Sequence, residues 1–284
     1  MRDFHGKAAF VSGGASGIGL ALGRALAEAG ARVMLADVEE QALADAVAGL
    51  KGGNLPDVRG IACDVRDCAA VERAAEAAVD AFGKIHIVCN NAGVGGRSGA
   101  DAISLQDWRW VIDINLMGVV HGVRAFLPHL LSHGEGGHIV NTASMAGFLP
   151  GTGFGPYTAT KFAVVGLSEA LRAELAPQGI GVSVLCPGWV RTRITDSRRN
   201  WPREYGEPPA PRPGLIDQHI AELVRTGMAP SDVAALTLAA IRDDELYVFT
   251  HPHMRPALEA RVENFLSAYR KLGPAPQDQG TKAR

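Results

Sequence analysis

A chain of 284 residues has room for one large domain or two small ones, and with 47% hydrophobic and 20% charged residues it can bury a sizeable core, which excludes global disorder. Its net charge of −2 gives no electrostatic reason to expect nucleic acid or an anionic membrane as a partner. No apolar stretch reads as a membrane span, and the N-terminus leads almost directly into a strand-like run instead of a signal peptide, so a cytoplasmic protein is expected.

Along the chain, short apolar runs alternate with longer helical patterns. Residues 8–11 read as a first strand and 17–29 as a helix that Gly30 ends. A second strand at 32–36 precedes an Ala-rich helix over 39–50. A third strand at 58–63 precedes a helix over 68–82, with Gly83 just past its end. Strand four is expected at 85–89, a long helical stretch at 105–131 and strand five at 139–142. A helix over 156–176 leads to strand six at 182–186. Ser231 is placed to cap a helix reaching about residue 241, and 247–249 is a seventh strand.

Strands apolar throughout and separated by helices predict an α/β fold. It is a Rossmann-like, doubly wound parallel sheet of about seven strands with helices on both faces, starting in the order 3-2-1-4-5-6. One domain over 1–272 is expected. The segment 191–227, rich in Pro and Arg, is too long for an ordinary connection and reads as a substrate lid. The Pro/Gln/Gly-rich stretch 273–284 reads as a mobile tail. Three cysteines lie in or at the end of apolar runs and none forms a C-x-x-C pair, so Cys63, Cys68, Cys89 and Cys186 read as reduced thiols.

The first strand runs into Ser12-Gly13-Gly14-Ala15-Ser16-Gly17-Ile18-Gly19 and then a helix. Glycines there let the backbone turn tightly and approach a pyrophosphate, whose charge faces the helix N-terminus. The position after strand one and before helix one is the context that marks a dinucleotide site. Asp37 ends strand two, 18 residues after Gly19. A carboxylate there can accept hydrogen bonds from the adenosine ribose hydroxyls and repels a 2′-phosphate, so NAD is expected over NADP. A plainer role for Asp37 is a helix N-cap ahead of Glu39 and Glu40.

Tyr157 and Lys161 stand four apart in a predicted helix and so share a face. Pro156 suits the first helical position, which puts Tyr157 at the positive end of the helix dipole. A free phenol titrates near ~10, and a nearby cation favours the phenolate. A drop of about three units needs roughly 4 kcal/mol and yields a general acid/base for a hydroxyl proton.

The spacing G-x-x-x-G-x-G together with Tyr-x-x-x-Lys resembles the short-chain dehydrogenase/reductase family, single-domain type, from about Lys7 to Val190 and more loosely through Phe249. Ser12 stands where the family usually has Thr and keeps the hydroxyl. The resemblance implies cofactor contacts from Gly13, Ser16, Gly17, Ile18, Gly19 and Asp37, and adenine contacts from Asp64 and Val65. It implies that Asn91, Ala92 and Gly93 line the cofactor and brace the sheet. Pro187 and Gly188 close strand six, and Val190 and Thr192 match positions that hold the nicotinamide carboxamide. Tyr157 would exchange the substrate proton while Lys161 tunes the phenol and bonds the nicotinamide ribose. Ser144 would hydrogen-bond the substrate oxygen, and Asn115 would hold a water linking Lys161 to solvent. A homotetramer or dimer joined around Leu116 and Val165 is also implied.

The glycine loop, Asp37, Asp64, Asn91, Ser144 and Pro187-Gly188 each follow a different predicted strand. In a parallel sheet those ends share one edge, where open α/β sheets bind ligands. No metal is expected: His129 and His133 have ligand spacing, but Leu130 stands where a zinc-protease motif needs glutamate. The substrate is expected to be a medium-sized secondary alcohol or ketone, walled by residues 94–99, residues 145–154 and the lid that begins at Trp189. Phe148, Phe154, Trp189, Trp201 and Tyr205 either line that pocket or pack the lid onto the body. Two rivals remain: an NADP-dependent ketoreductase, and a non-catalytic nucleotide-sensing or scaffolding relative.

Overall fold

The structure, a computed structural model, describes residues 1–51, 55, 57–96, 103–208 and 215–272. The expected tail at 273–284, residues 209–214 of the expected lid and the end of the 94–99 loop lie outside them. Contacts group Met1–Thr250 into one compact unit and the chain from His251 on into a second.

In the first unit, β1 (Ala8–Ser12), α1 (Gly17–Glu28), β2 (Arg32–Asp37), α2 (Glu40–Lys51), β3 (Val58–Ala62), α3 (Cys68–Phe82) and β4 (Ile87–Asn90) follow one another. Then come α4 (Leu105–Ile112), a π-helical turn (Asp113–Met117), α5 (Gly118–Ser132), β5 (Gly137–Thr142), α6 (Gly155–Leu175) and β6 (Ile180–Cys186). The unit closes with α7 (Leu215–Arg225), α8 (Pro230–Asp243) and β7 (Tyr247–Phe249). The second unit holds a short 3-10 turn, Pro252–Met254, and α9 (Arg255–Arg270).

The seven strands form one parallel sheet in the order β3-β2-β1-β4-β5-β6-β7. Successive strand residues serve opposite faces, as a sheet covered on both sides requires. Ala9, Val11, Val33 and Leu35 face Leu22 and Leu26 of α1, Leu43 of α2 and Leu238 and Ile241 of α8. Ala8, Phe10, Met34 and Val88 face Val71 and Phe82 of α3, Phe126 and Leu130 of α5 and Leu171 of α6. This is the expected Rossmann-like, doubly wound sheet.

The long helix expected at 105–131 is interrupted by the π turn around Asn115. The run Leu105–Ser132 is also long and apolar enough, by length and composition, to cross a membrane. That corrects the expectation that no stretch would be. Half of its most apolar window is buried inside the protein, where Trp110, Val111, Phe126 and Leu130 serve the core. The cap of α8 is Ala229, not Ser231, because Pro230 suits the first turn. Helices α7 and α9 fall where the sequence reading had assigned no element.

Candidate active site

The C-terminal edge of the sheet is tied together by hydrogen bonds from one strand end to the next. At the end of β1, Ser12 Oγ accepts from the backbone N–H groups of Asn91 (3.0 Å) and Ala92 (3.1 Å). The Asn91 amide donates to the Ser12 carbonyl at 3.0 Å, and Thr142 Oγ1, at the end of β5, donates to Asn91 Oδ1 at 3.3 Å. Lys161 Nζ donates to the Thr142 carbonyl at 2.8 Å. Ser144 Oγ donates to the carbonyl of Pro187, just beyond β6, at 3.3 Å.

The glycine loop fits a dinucleotide. Gly13 has φ +65°, and a Cβ there would lie 2.9 Å from Ala92 Cα. A Cβ on Gly19 would lie 2.0 Å from the Gly13 carbonyl, so only glycine lets α1 begin this close to the turn. Ser16 precedes α1 without a side-chain capping bond, which leaves the first-turn N–H groups of α1 suited to an anion. Thr192 comes against Gly17, its Cγ2 3.0 Å from where a Cβ would stand. Ile18 is half-buried in the first turn of α1. Asp37 is anchored at this turn: its carboxylate accepts from Ala15 N–H (2.9 Å) and Glu39 N–H (3.0 Å).

Residues around the reactive pair lie on three elements. Tyr157 and Lys161 start α6, with Pro156 in its first turn, and Lys161 Nζ lies 5.5 Å from the Tyr157 ring centroid. Asn115, fully buried in the π turn, accepts from Val94 N–H at 2.8 Å and donates to the Val94 carbonyl at 2.9 Å. A π turn inserts one extra residue into a helix and is a device often found at functional sites. Gly93 is exposed beside both, since a Cβ on it would lie 3.3 Å from Asn115 Oδ1 and 3.7 Å from Lys161 Nζ.

Electrostatics differ from the simple expectation for the pair. Burial pushes the Lys161 ammonium down to about 8. Burial also raises the Tyr157 phenol, and the hydrogen bond with Ser144 pulls it the other way. Desolvation therefore sets the direction for the phenol, and the opposing pull comes from Ser144, not from Lys161. Cys63, Cys89 and Cys186 are buried free thiols; burial raises Cys63 to about 11 and the other two to about 12, which makes them poor nucleophiles.

Other expected site residues sit further out. Asp64 is held by Arg66, which also reaches Glu204 and lies over the Tyr205 ring. Val65 is buried against Gly118, and its carbonyl pairs with His121 Nδ1 at 2.8 Å. Val190 is buried and bridges Met228, and Gly188 follows Pro187 at the mouth of β6. His133 is paired with the Ile85 carbonyl and accepts from Glu135 N–H, and with His86 and Glu135 it forms a group whose candidate ligand atoms fall within 4.8 Å of one another.

The aromatic residues divide. Trp201 and Tyr205 pack the 191–227 segment onto the body: Trp201 lies 4.9 Å from buried Trp110, and the Tyr205 hydroxyl donates to Asp113. Phe154 lies 6.2 Å from Tyr157. Phe148 packs edge-on to Phe249, away from that pair. The same segment is clasped by charge. Arg199 and Asn200 donate to Glu39 at 2.6 and 2.9 Å, and Arg198 to buried Asp107 at 2.9 Å.

Sequence reading missed a buried amide row beneath this edge. Asn90 donates to Asn141 (2.9 Å), Asn141 to Ser168 (3.1 Å) and Ser168 to the Val164 carbonyl (2.7 Å), which fixes α6 to β4 and β5. The signal was an asparagine, Asn141, directly after the buried apolar pair Ile139-Val140 of β5. Ser197 was missed too; its Oγ accepts from Gly95 N–H at 2.9 Å.

Comparison with known proteins agrees with this geometry. Residues 7–203 match the family described as short chain dehydrogenase. A 1-deoxy-11-beta-hydroxypentalenate dehydrogenase of Streptomyces avermitilis is 44% identical over 245 residues, which cover 86% of this chain and 84% of that one. A C alpha-dehydrogenase of Sphingobium is 32% identical over 98% of this chain and 91% of its own. A short chain dehydrogenase/reductase of Burkholderia phymatum, solved in complex with NAD, superposes with a TM-score of 0.91 at 40% identity, covering 94% of this chain and 97% of that one.

Proposed function

The chain belongs to the short chain dehydrogenase family, and from that premise we propose that it is an NAD-dependent oxidoreductase exchanging a hydride with a secondary alcohol or ketone. The observation that carries this reading is the hydrogen-bonded row from Ser12 through Asn91 and Thr142 to Lys161, which joins the glycine turn to the Tyr157 helix. The bound nicotinamide supplies the hydride donor or acceptor. Gly13, Ser16, Gly17 and Gly19 hold the pyrophosphate, and Asn91, Ala92, Gly93, Gly188, Val190 and Thr192 border the rest of the cofactor. Tyr157 takes the hydroxyl proton as an alcohol is oxidised and returns it to the ketone in reverse. Ser144 hydrogen-bonds the same oxygen and favours the phenolate. Lys161, backed by the Thr142 carbonyl, sets the local charge, and Asn115 holds the Val94 backbone beside it.

NAD over NADP rests on Asp37 at the end of β2, a carboxylate where a 2′-phosphate would need cations. The nearby lid arginines are engaged elsewhere: Arg199 pairs with Glu39 at 2.6 Å, and Arg193 lies 3.7 Å from the same carboxylate. The B. phymatum structure, solved with NAD, supports the same choice. Residues 191–227 act as the substrate lid, and two copies meet along α5 and α6. Fluorescence titration with both reduced cofactors tests the assignment. NADH should bind at least about tenfold tighter than NADPH, a difference of about 1.4 kcal/mol. Tighter NADPH binding would overturn the role given to Asp37.

A further inference from the structure

The opposite edge of the sheet, where β5 and β6 begin, borders a cavity of about 470 Å3. Arg2, His138, Arg172, Gly181, Arg242 and Asp244 line it. His138 is only 1% exposed. Its Nε2 lies 2.8 Å from Ser183 Oγ, which donates its own proton to the Glu245 carbonyl at 2.6 Å. Ser183 must therefore accept from Nε2–H, and Nδ1 is left as a hydrogen-bond acceptor. That nitrogen has no partner among the described residues. Asp244 Oδ1, 3.9 Å away, is itself an acceptor and is held by Arg172. Burial lowers the His138 ring to about 4, so it is neutral at pH 7.

The surroundings favour an anion that brings a proton of its own. Arg172 and Asp244 neutralise each other, and Arg2 and Arg242 outnumber Asp243. The Arg242 guanidinium lies over the Phe4 ring, 4.9 Å from its centroid, which orients it without using its N–H donors. Gly181 packs directly against the ring: a Cβ there would lie 2.4 Å from Nδ1 and 2.5 Å from Asp244 Oδ1, so only glycine fits beside that nitrogen. A buried acceptor left unpaired is unfavourable, and a donor entering this space relieves it.

We propose that this cavity is a second ligand site for a small oxyanion carrying an O–H group, of which hydrogen phosphate is the simplest. Its oxygens face Arg2 and Arg242, and its O–H donates to His138 Nδ1. The nicotinamide site is at the other edge and takes no part.

Calorimetric titration of the full chain with inorganic phosphate at pH 7 and fixed ionic strength tests this, with sulfate as the control of like shape that lacks a proton. Saturable phosphate binding is expected, with sulfate weaker by at least about tenfold. Arg2→Ala combined with Arg242→Ala changes only exposed side chains and should weaken phosphate by a similar factor. His138→Leu, if folded by circular dichroism, should abolish the preference for phosphate over sulfate. If it does not fold, the double arginine variant and the wild-type ratio decide. No saturation by about 20 mM phosphate, equal sulfate affinity, or undiminished binding in the arginine variant overturns the proposal.

Discussion

Lys161 shows what the site demands of a single residue. It is 3% exposed and donates a hydrogen bond to the Thr142 carbonyl, and burial lowers its ammonium in the folded protein to about 8. The unfolded chain keeps that proton up to the ordinary lysine value near ~10.4. Between these values the unfolded state binds more protons, so the Lys161 contribution to stability rises with pH there and is flat outside. Against Lys161→Met, the wild type should gain about 2 kcal/mol between pH 7 and pH 9.5. Urea unfolding of both proteins at the two pH values reads this directly, and a difference that shrinks with pH would refute it. Tyr157 and Lys161 were legible from their spacing because four residues make a helix face. The desolvation of both groups was not, because burial depends on packing between elements far apart in the chain.

Among elements, the chain from Thr192 to Asn200 ties the glycine turn to the start of α2. It leaves β6 past Thr192, beside Gly17, and reaches Glu39 at the start of α2 through Arg199 and Asn200. Arg199 and Glu39 are each about one-fifth exposed. An ion pair in that setting contributes about 1 kcal/mol and is weakened by salt. Glu39→Gln should raise KM for the alcohol roughly fivefold at low salt with kcat little changed. Added salt should move the wild type toward the variant, and an unchanged KM would count against the proposed lid role of this segment. The central strands β1, β2, β4 and β6 were readable because their runs are mostly apolar and buried on both faces. The interruption at Asn115 was not, because the turn Asp113–Met117 contains no Gly or Pro to mark it. Helix α7 lay hidden in a segment whose arginines and prolines suggested irregular chain, although its paired Arg225 and Glu222 stand three apart as on a helix.

For the molecule as a whole, crossover connections bring the ends of all the strands to one edge. Ser12, Asp37, Asn91, Ser144 and Pro187 are distant in sequence, and parallel topology assembles them without any one motif specifying the site. Assembly between chains is a separate matter. Leu116 is half-buried and Val165 packs inward against Gly147, so a partner would meet the outward faces of α5 and α6. Light scattering at micromolar concentration should give a dimer or tetramer, and a monomer alone would count against the proposed α5 and α6 contact.

The most direct measurement pairs turnover with cofactor binding in Tyr157→Phe, once an alcohol screen has supplied a substrate. Removing one hydroxyl should lower kcat by about 10²- to 10⁴-fold, while NADH affinity, followed by fluorescence, stays near the wild-type value. Near-normal turnover in that variant would mean that another group moves the proton.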